Sequence, residues 1–204
     1  MNIWERGGLA WLALAGLASP LVLATSALVI AGRRPDYSHL RHTLSELGSL
    51  GRPHAEWMNR AGVVPAGLLV VLAAPALYAA FGAGRLSVAG ALVLALAGAC
   101  FAGTGLFPWA GAPGDFSAPT SKAHFVLAMM AFACLPLVPL LFGLHARGLP
   151  ALSTWSTPSY VAAAAVFVFG FLPLPGWLGA TQRASLACFF AWLVTASLWT
   201  LRSP

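Results

Sequence analysis

A serine, a glutamate, two histidines and an arginine, set near helix ends of an otherwise apolar chain, are the groups that could do chemistry here. The first cluster is Arg33-Arg34-Pro35-Asp36-Tyr37-Ser38-His39-Leu40-Arg41-His42-Thr43-Leu44-Ser45-Glu46-Leu47-Gly48. Leu40, Leu44 and Leu47 recur at i, i+4 and i+7, which predicts one face of a short helix near Tyr37 to Leu47. Asp36 or Ser38 would cap it and Gly48 would stop it. His39, His42 and Glu46 then share another face, with Ser45 beside them. Glu46 suits a general base or a metal ligand, Ser45 a hydrogen-bonding or catalytic partner, and His42 a ligand contact. Economy draws attention to this loop: the chain has five acids, and Asp36, Glu46 and Glu56 all lie in it. A second helix starts at Arg52-Pro53 and carries Glu56, Trp57, Asn59 and Arg60. Asn59 is a further ligand-binding candidate, whereas Glu56 and Arg60 have the spacing of a plain i,i+4 ion pair.

Two further clusters are polar. Gly105-Leu106-Phe107-Pro108 ends one apolar run, and after Asp115 the stretch Ser121-Lys122-Ala123-His124 opens the next. His124 could be a general base or a metal ligand, and Asp115 or Glu46 would suit it as a partner in either role. The last cluster, Gly179-Ala180-Thr181-Gln182-Arg183, puts an arginine at the start of the final run. Its guanidinium could contact a phosphate or form a buried ion pair with Glu46 or Asp115. Against these readings stand structural uses of the same residues: helix caps, loop tethers, and an arginine stem snorkelling to headgroups. No HExxH, paired CxxC, GxSxG or Gly-rich phosphate loop is present. Haem ligation would want histidines deep in helices, and His39, His42, His54, His124 and His145 all fall at ends or in loops. The cofactor is left open, and the metal candidates are His124, Glu46 and Asp115.

The elements that must position these groups follow from composition. Hydrophobic residues make up 59% and charged residues 8%, with mean hydropathy +0.82. So few charges cannot cover the surface of a soluble domain. Soluble enzyme, disordered tail, coiled coil and secreted disulfide domain are excluded, and a polytopic membrane protein remains. Six runs, 9–31, 62–81, 86–107, 123–144, 158–174 and 184–201, approach the ~20 residues that span a bilayer core. Lacking dyad alternation, they read as helices. The expected fold is all-α: a bundle of six transmembrane helices forming one domain over 1–204, with a short amphipathic interfacial helix in the first loop. Pro173 and Pro175 close the fifth run early. The first run is too long for a signal peptide. Cys100, Cys134 and Cys188 lie in apolar runs without metal-like spacing and read as packing residues.

With six spans, the connections 32–61 and 108–122 and the turn after the fifth helix share one face. Glu46, His124 and Arg183 are therefore expected to converge there on one polar pocket. The net charge of +6 comes from arginines scattered near helix ends, with no basic-aromatic module, so no nucleic acid partner is expected. Multi-pass insertion in the cell membrane is. The readings in order are a protein that binds a lipid, another amphipathic ligand or a membrane partner; a membrane-embedded, hydrolase-like enzyme using Glu46, His124 and Arg183; and a small transporter. The transporter lacks the paired broken helices and mid-helix charge such proteins carry.

The order of these motifs resembles the family of bacterial and archaeal integral membrane proteins called DUF998, a domain of unknown function. The resemblance rests on Tyr37-Ser38, Ser45-Glu46-Leu47-Gly48, Pro53 and Asn59, then Gly105, Phe107 and Pro108, then His124, then Gly179 and Arg183, and spans about Gly16 to Trp199. One departure is clear. The family pattern has an aspartate soon after the phenylalanine-proline, whereas here Trp109 follows and Asp115 is the next acid. The resemblance implies the fold and the place of the site, and no reaction.

Overall fold

The computed structural model describes residues 3–111, 114–172 and 174–202, with side chains from residue 8 onward. The long helices are α1 (Ile3–Ala31), α4 (Val64–Phe81), α5 (Arg85–Leu106), α6 (Pro119–Arg147), α7 (Ser156–Phe171) and α8 (Leu178–Arg202); α2 (Leu44–Leu47) and α3 (Ala55–Trp57) are short. A π-helical turn, Met58–Val63, joins α3 to α4, giving a continuous helix Ala55–Phe81. Among the described residues, six helices are long and apolar enough to cross a bilayer. The chain is an all-α, multi-pass integral membrane protein.

The spanning helices pack in chain order round a ring, α1, α4, α5, α6, α7, α8, which closes with α8 against α1. Lipid supplies little hydrophobic drive between helices, so close packing must hold them together. Gly67 and Gly98 show how: a Cβ on Gly67 would fall 2.4 Å from the Ala102 nitrogen and 2.5 Å from the Gly98 carbonyl. Only hydrogen at these positions lets the α4 and α5 backbones touch. At the end of the bundle where α4 stops and α8 finishes, Phe81, Phe142, Trp155 and Trp199 pack ring against ring with centroids 4.7–5.5 Å apart.

Helix limits differ from the sequence reading in instructive ways. The second span begins at Ala55, because the polar stretch through Asn59 and Arg60 runs into α4 without a break. Pro65 has no N–H for the Ala61 carbonyl four residues back, and Ser26 Oγ of α1 donates to that carbonyl at 3.3 Å. The sixth span begins at Leu178, so Gly179 to Arg183 are its first turns rather than its approach. Pro173, expected to close the fifth span, lies outside the described residues; α7 ends at Phe171.

The expected helix from Tyr37 to Leu47 is reduced to Leu44–Leu47. Leu44 and Leu47 are buried as the period required, but Leu40 is exposed. Residues 37–43 turn instead of coiling because stronger partners take their backbone groups. Tyr37 OH donates within 3.1 Å of the His42 carbonyl and 2.8 Å of the Thr43 carbonyl. The Ser38 N–H donates to His42 Nδ1 at 2.9 Å, and the His39 and His42 carbonyls accept from Arg183. The cap is Thr43, neither Asp36 nor Ser38: Glu46 reaches back to accept the Thr43 N–H at 2.8 Å, the return arm of a capping box.

Candidate functional site

The first loop is folded onto the bundle by two arginines. Arg34 is almost wholly buried; it pairs with Asp36 at 2.7 Å and donates to the Glu46 carbonyl at 3.0 Å. The Arg34 hydrogen bond holds the Asp36 carboxyl below its usual range. Arg183 reaches out of the first turns of α8. Its Nη1 lies 2.8 Å from the His39 carbonyl, 2.9 Å from that of His42 and 2.8 Å from that of Gly179, and its Nη2 donates to Tyr37 OH. Both guanidinium groups sit within 6 Å of the Tyr37 ring centroid, close enough for cation–π attraction. Burial pushes the Tyr37 hydroxyl above its ordinary value, with Arg183 opposing, so it stays a neutral donor. Gly179 permits the whole arrangement: a Cβ there would lie 2.4 Å from the His42 carbonyl oxygen.

These contacts correct one expectation. Among the described residues the ion pairs are Arg34–Asp36, Arg52–Asp36 and Arg60–Glu56, and Glu46 does not pair with Arg183. Successive helical side chains point ~100° apart, so when Ser45 faces the bundle, Glu46 cannot. Glu46 lines a separate polar basin of about 140 Å³ with Arg34, Asp36, His42, Ser49 and Arg52. Asp115 is exposed and accepts the Ser117 N–H at 2.8 Å; that hydrogen bonding holds its carboxyl low and leaves it apart from His124. Among the described residues no three His, Cys, Asp or Glu side chains converge as a metal ion needs, so His124, Glu46 and Asp115 do not form one ligand set. Glu56 and Arg60 pair at 2.8 Å on the surface.

Two of the sequence candidates do meet. His124, 5% exposed, has its Nε2 2.9 Å from Ser45 Oγ. Its Nδ1 lies 3.0 Å from the Thr104 carbonyl and 3.0 Å from the Phe107 carbonyl, at the end of α5, where the last-turn carbonyls lack helical partners. Asn59 donates through Nδ2 to the Gly48 carbonyl at 2.8 Å, and Gln182 Oε1 accepts the Leu44 N–H at 2.8 Å. Ser45, His124, Asn59, Thr104 and Gln182 line a cavity of about 30 Å³ under α2. Gln182 was missed as a site residue in the sequence, although its place beside Arg183 was a usable signal. Gly48 stops α2 as expected, being its C-cap, and is needed for space as well: a Cβ there would lie 2.2 Å from Asn59 Oδ1.

Beyond this cavity lies an apolar groove of about 300 Å³ between α1 and α8, lined by Pro20, Leu23 and Ala27 on one side and Leu186, Ala187 and Phe190 on the other. His39 and Arg183 form its polar end. Burial, and secondarily Arg183, push the His39 imidazole below its ordinary value. Leu44 and Leu186 line both groove and cavity and form the wall between them.

No curated protein and no solved structure matches the chain. A family model described as "Protein of unknown function (DUF998)" matches residues 5–199. That match covers nearly the whole sequence, and the chain belongs to the DUF998 family.

Proposed function

We propose that the protein, as one transmembrane domain in the cell membrane, binds a single anionic phospholipid, one of its acyl chains in the α1/α8 groove and its headgroup toward Arg183 and His39. The observation that carries this reading is the shape of the groove: an apolar trough of about 300 Å³ with an arginine at one end. Its volume sits at the lower edge of the ~300–1,000 Å³ of small-molecule sites. Among the described residues no carboxylate lies within ion-pairing distance of Arg183. Backbone carbonyls hold the guanidinium in place without cancelling its charge, so an anion at the groove mouth is attracted and a second cation is not. The orientation also suits a bilayer, since the polar end lies at the loop face and the trough runs along two spanning helices.

Native mass spectrometry of the protein in mild detergent, titrated with phosphatidylglycerol or phosphatidylcholine, tests this. Wild type should retain one phosphatidylglycerol in preference to phosphatidylcholine. Ala187→Trp fills the groove from an exposed position and should abolish retention of both, while Arg183→Leu should remove the headgroup preference. Equal retention of the two lipids by wild type, or undiminished retention by Ala187→Trp, would overturn the reading.

A further inference from the structure

We infer that Ser45 and His124 form a nucleophile–base pair that cleaves a carboxylic ester of the lipid held in the neighbouring groove; the choice of substrate rests on the lipid-binding reading, the pair itself does not. Hydrogen-bond partners fix the proton positions. The Thr104 and Phe107 carbonyls, each 3.0 Å from Nδ1, can only accept, so Nδ1 carries the hydrogen. Nε2 therefore presents a lone pair, and at 2.9 Å it accepts the Ser45 O–H. The same two carbonyls stand at the negative end of α5, where a cation is favoured. They orient the ring and stabilise the imidazolium that forms when Nε2 takes the serine proton, the task a carboxylate performs in other serine hydrolases. Ser49 offers a contrast on the same segment: its hydroxyl ties the chain by donating to the Ser45 carbonyl at 3.0 Å, an acceptor that cannot remove a proton.

The surroundings suit the reaction. Gln182 has its carboxamide oxygen taken by the Leu44 N–H, which leaves Nε2 as the cavity's donor for a developing oxyanion. A volume of about 30 Å³ exceeds the ~10–15 Å³ that one water needs. His124 lies about 7–8 Å along α6 from Pro119 at ~1.5 Å per residue, comparable with the ~5–8 Å of interface on each side of a bilayer core, where the esters of glycerolipids sit. Displacing Leu44 or Leu186 side chains joins groove to cavity.

In the first step Ser45 Oγ adds to the ester carbonyl carbon as its proton passes to Nε2. The tetrahedral adduct collapses, the carbon–oxygen bond to the alcohol breaks, and the imidazolium gives its proton to the departing oxygen, leaving an acyl-serine. Water then adds to the acyl carbon, Nε2 takes its proton and returns it to Ser45 Oγ, and the carboxylic acid leaves. Ester and water become acid and alcohol.

Alkyl fluorophosphonates, which phosphonylate activated serines with loss of fluoride, test the pair directly. Purified protein in detergent is treated with an ethyl and with a dodecyl probe, and adducts are located by intact mass and peptide mapping. Wild type should carry one adduct, on Ser45. Ser45→Ala should carry none, and His124→Gln should react at least ~10²-fold more slowly, the usual contribution of a general base. Absence of a Ser45 adduct on folded wild type overturns the inference and leaves lipid retention to be judged separately; this holds whether or not His124→Gln folds. Labelling of His124→Gln at the wild-type rate also overturns it. Ser45 adducts formed equally fast with both probes, and unaffected by Ala187→Trp, support the pair and overturn the groove as its lipid site.

Discussion

Gly48 and Asn59 should behave as a lock and its key. In Gly48→Ala the new methyl would sit 2.2 Å from Asn59 Oδ1 and 3.0 Å from Cγ, distances no carbon reaches without something moving. The carboxamide is the softer element, so it swings away and loses the 2.8 Å bond from Nδ2 to the Gly48 carbonyl. Leaving a buried polar group without its partner costs about 1–3 kcal/mol, and holding Asn59 off its rotamer adds ~0.5–1.5 kcal/mol, so Gly48→Ala should cost roughly 2–4 kcal/mol. Asn59→Ala loses the bond but suffers no clash and should cost about 1–3 kcal/mol. With the carboxamide gone, the methyl introduced by Gly48→Ala has room, so the double variant should cost little more than Asn59→Ala alone. The expected coupling is about 2 kcal/mol or more, where independent sites add to within ~0.3–0.5 kcal/mol. Equilibrium unfolding in mixed detergent and SDS micelles measures all four corners of the cycle. Additivity would refute the reasoning and show that the loop relaxes around the methyl without disturbing Asn59.

Glu46 and Arg183 make no ion pair and meet only through the Tyr37–Thr43 link. A Glu46→Gln and Arg183→Leu cycle in the same unfolding assay should therefore show coupling well below the ~3–5 kcal/mol that breaking a buried ion pair costs; coupling of that size would show a direct pair. Gly67→Ala should cost about 3 kcal/mol or more, because the methyl meets α5 backbone rather than a movable side chain; near-wild-type stability would show that the helices can separate cheaply. The lowered His39 value means that the unfolded loop binds a proton more readily than the folded one. Its stabilising contribution is therefore complete above the ordinary histidine value of ~6.5 and falls as pH drops from there through the folded value. Limited proteolysis of residues 33–43 should accelerate over that window and lose this dependence in His39→Asn.

Much of this was legible because the bilayer is a strict solvent. Twenty-residue apolar runs have few alternative fates, and their alternation placed Ser45, His124 and Arg183 on one face. The leucine period found Leu44 and Leu47 but overran at Leu40. Periodicity cannot see that Tyr37 would turn back on the carbonyls of His42 and Thr43, or that Arg183 would claim those of His39 and His42 across more than a hundred residues of chain. The Glu46–Arg183 pair failed for a nearer reason. A carboxylate three residues after a threonine already has a local partner in the Thr43 N–H, and Ser45 was the residue facing inward. That His124 opens a helix at the loop face was readable from its place; that it meets Ser45 and that two α5 carbonyls fix its tautomer was not, since spacing says nothing of where Thr104 and Phe107 present their oxygens.

The π turn at Met58–Val63 winds one residue more than an α-helix would into the same rod. It acts as an angular offset, setting how the loop end of the rod is turned relative to the part in lipid. Removing one residue there would rotate Ala55 to Asn59 by ~100° and shift them ~1.5 Å along the axis, swinging Asn59 away from Gly48 while Gly67 kept its seat on α5. Where α2 sits and where α4 packs are thus two separate settings, and a change in length at this single point is enough to alter one while sparing the other.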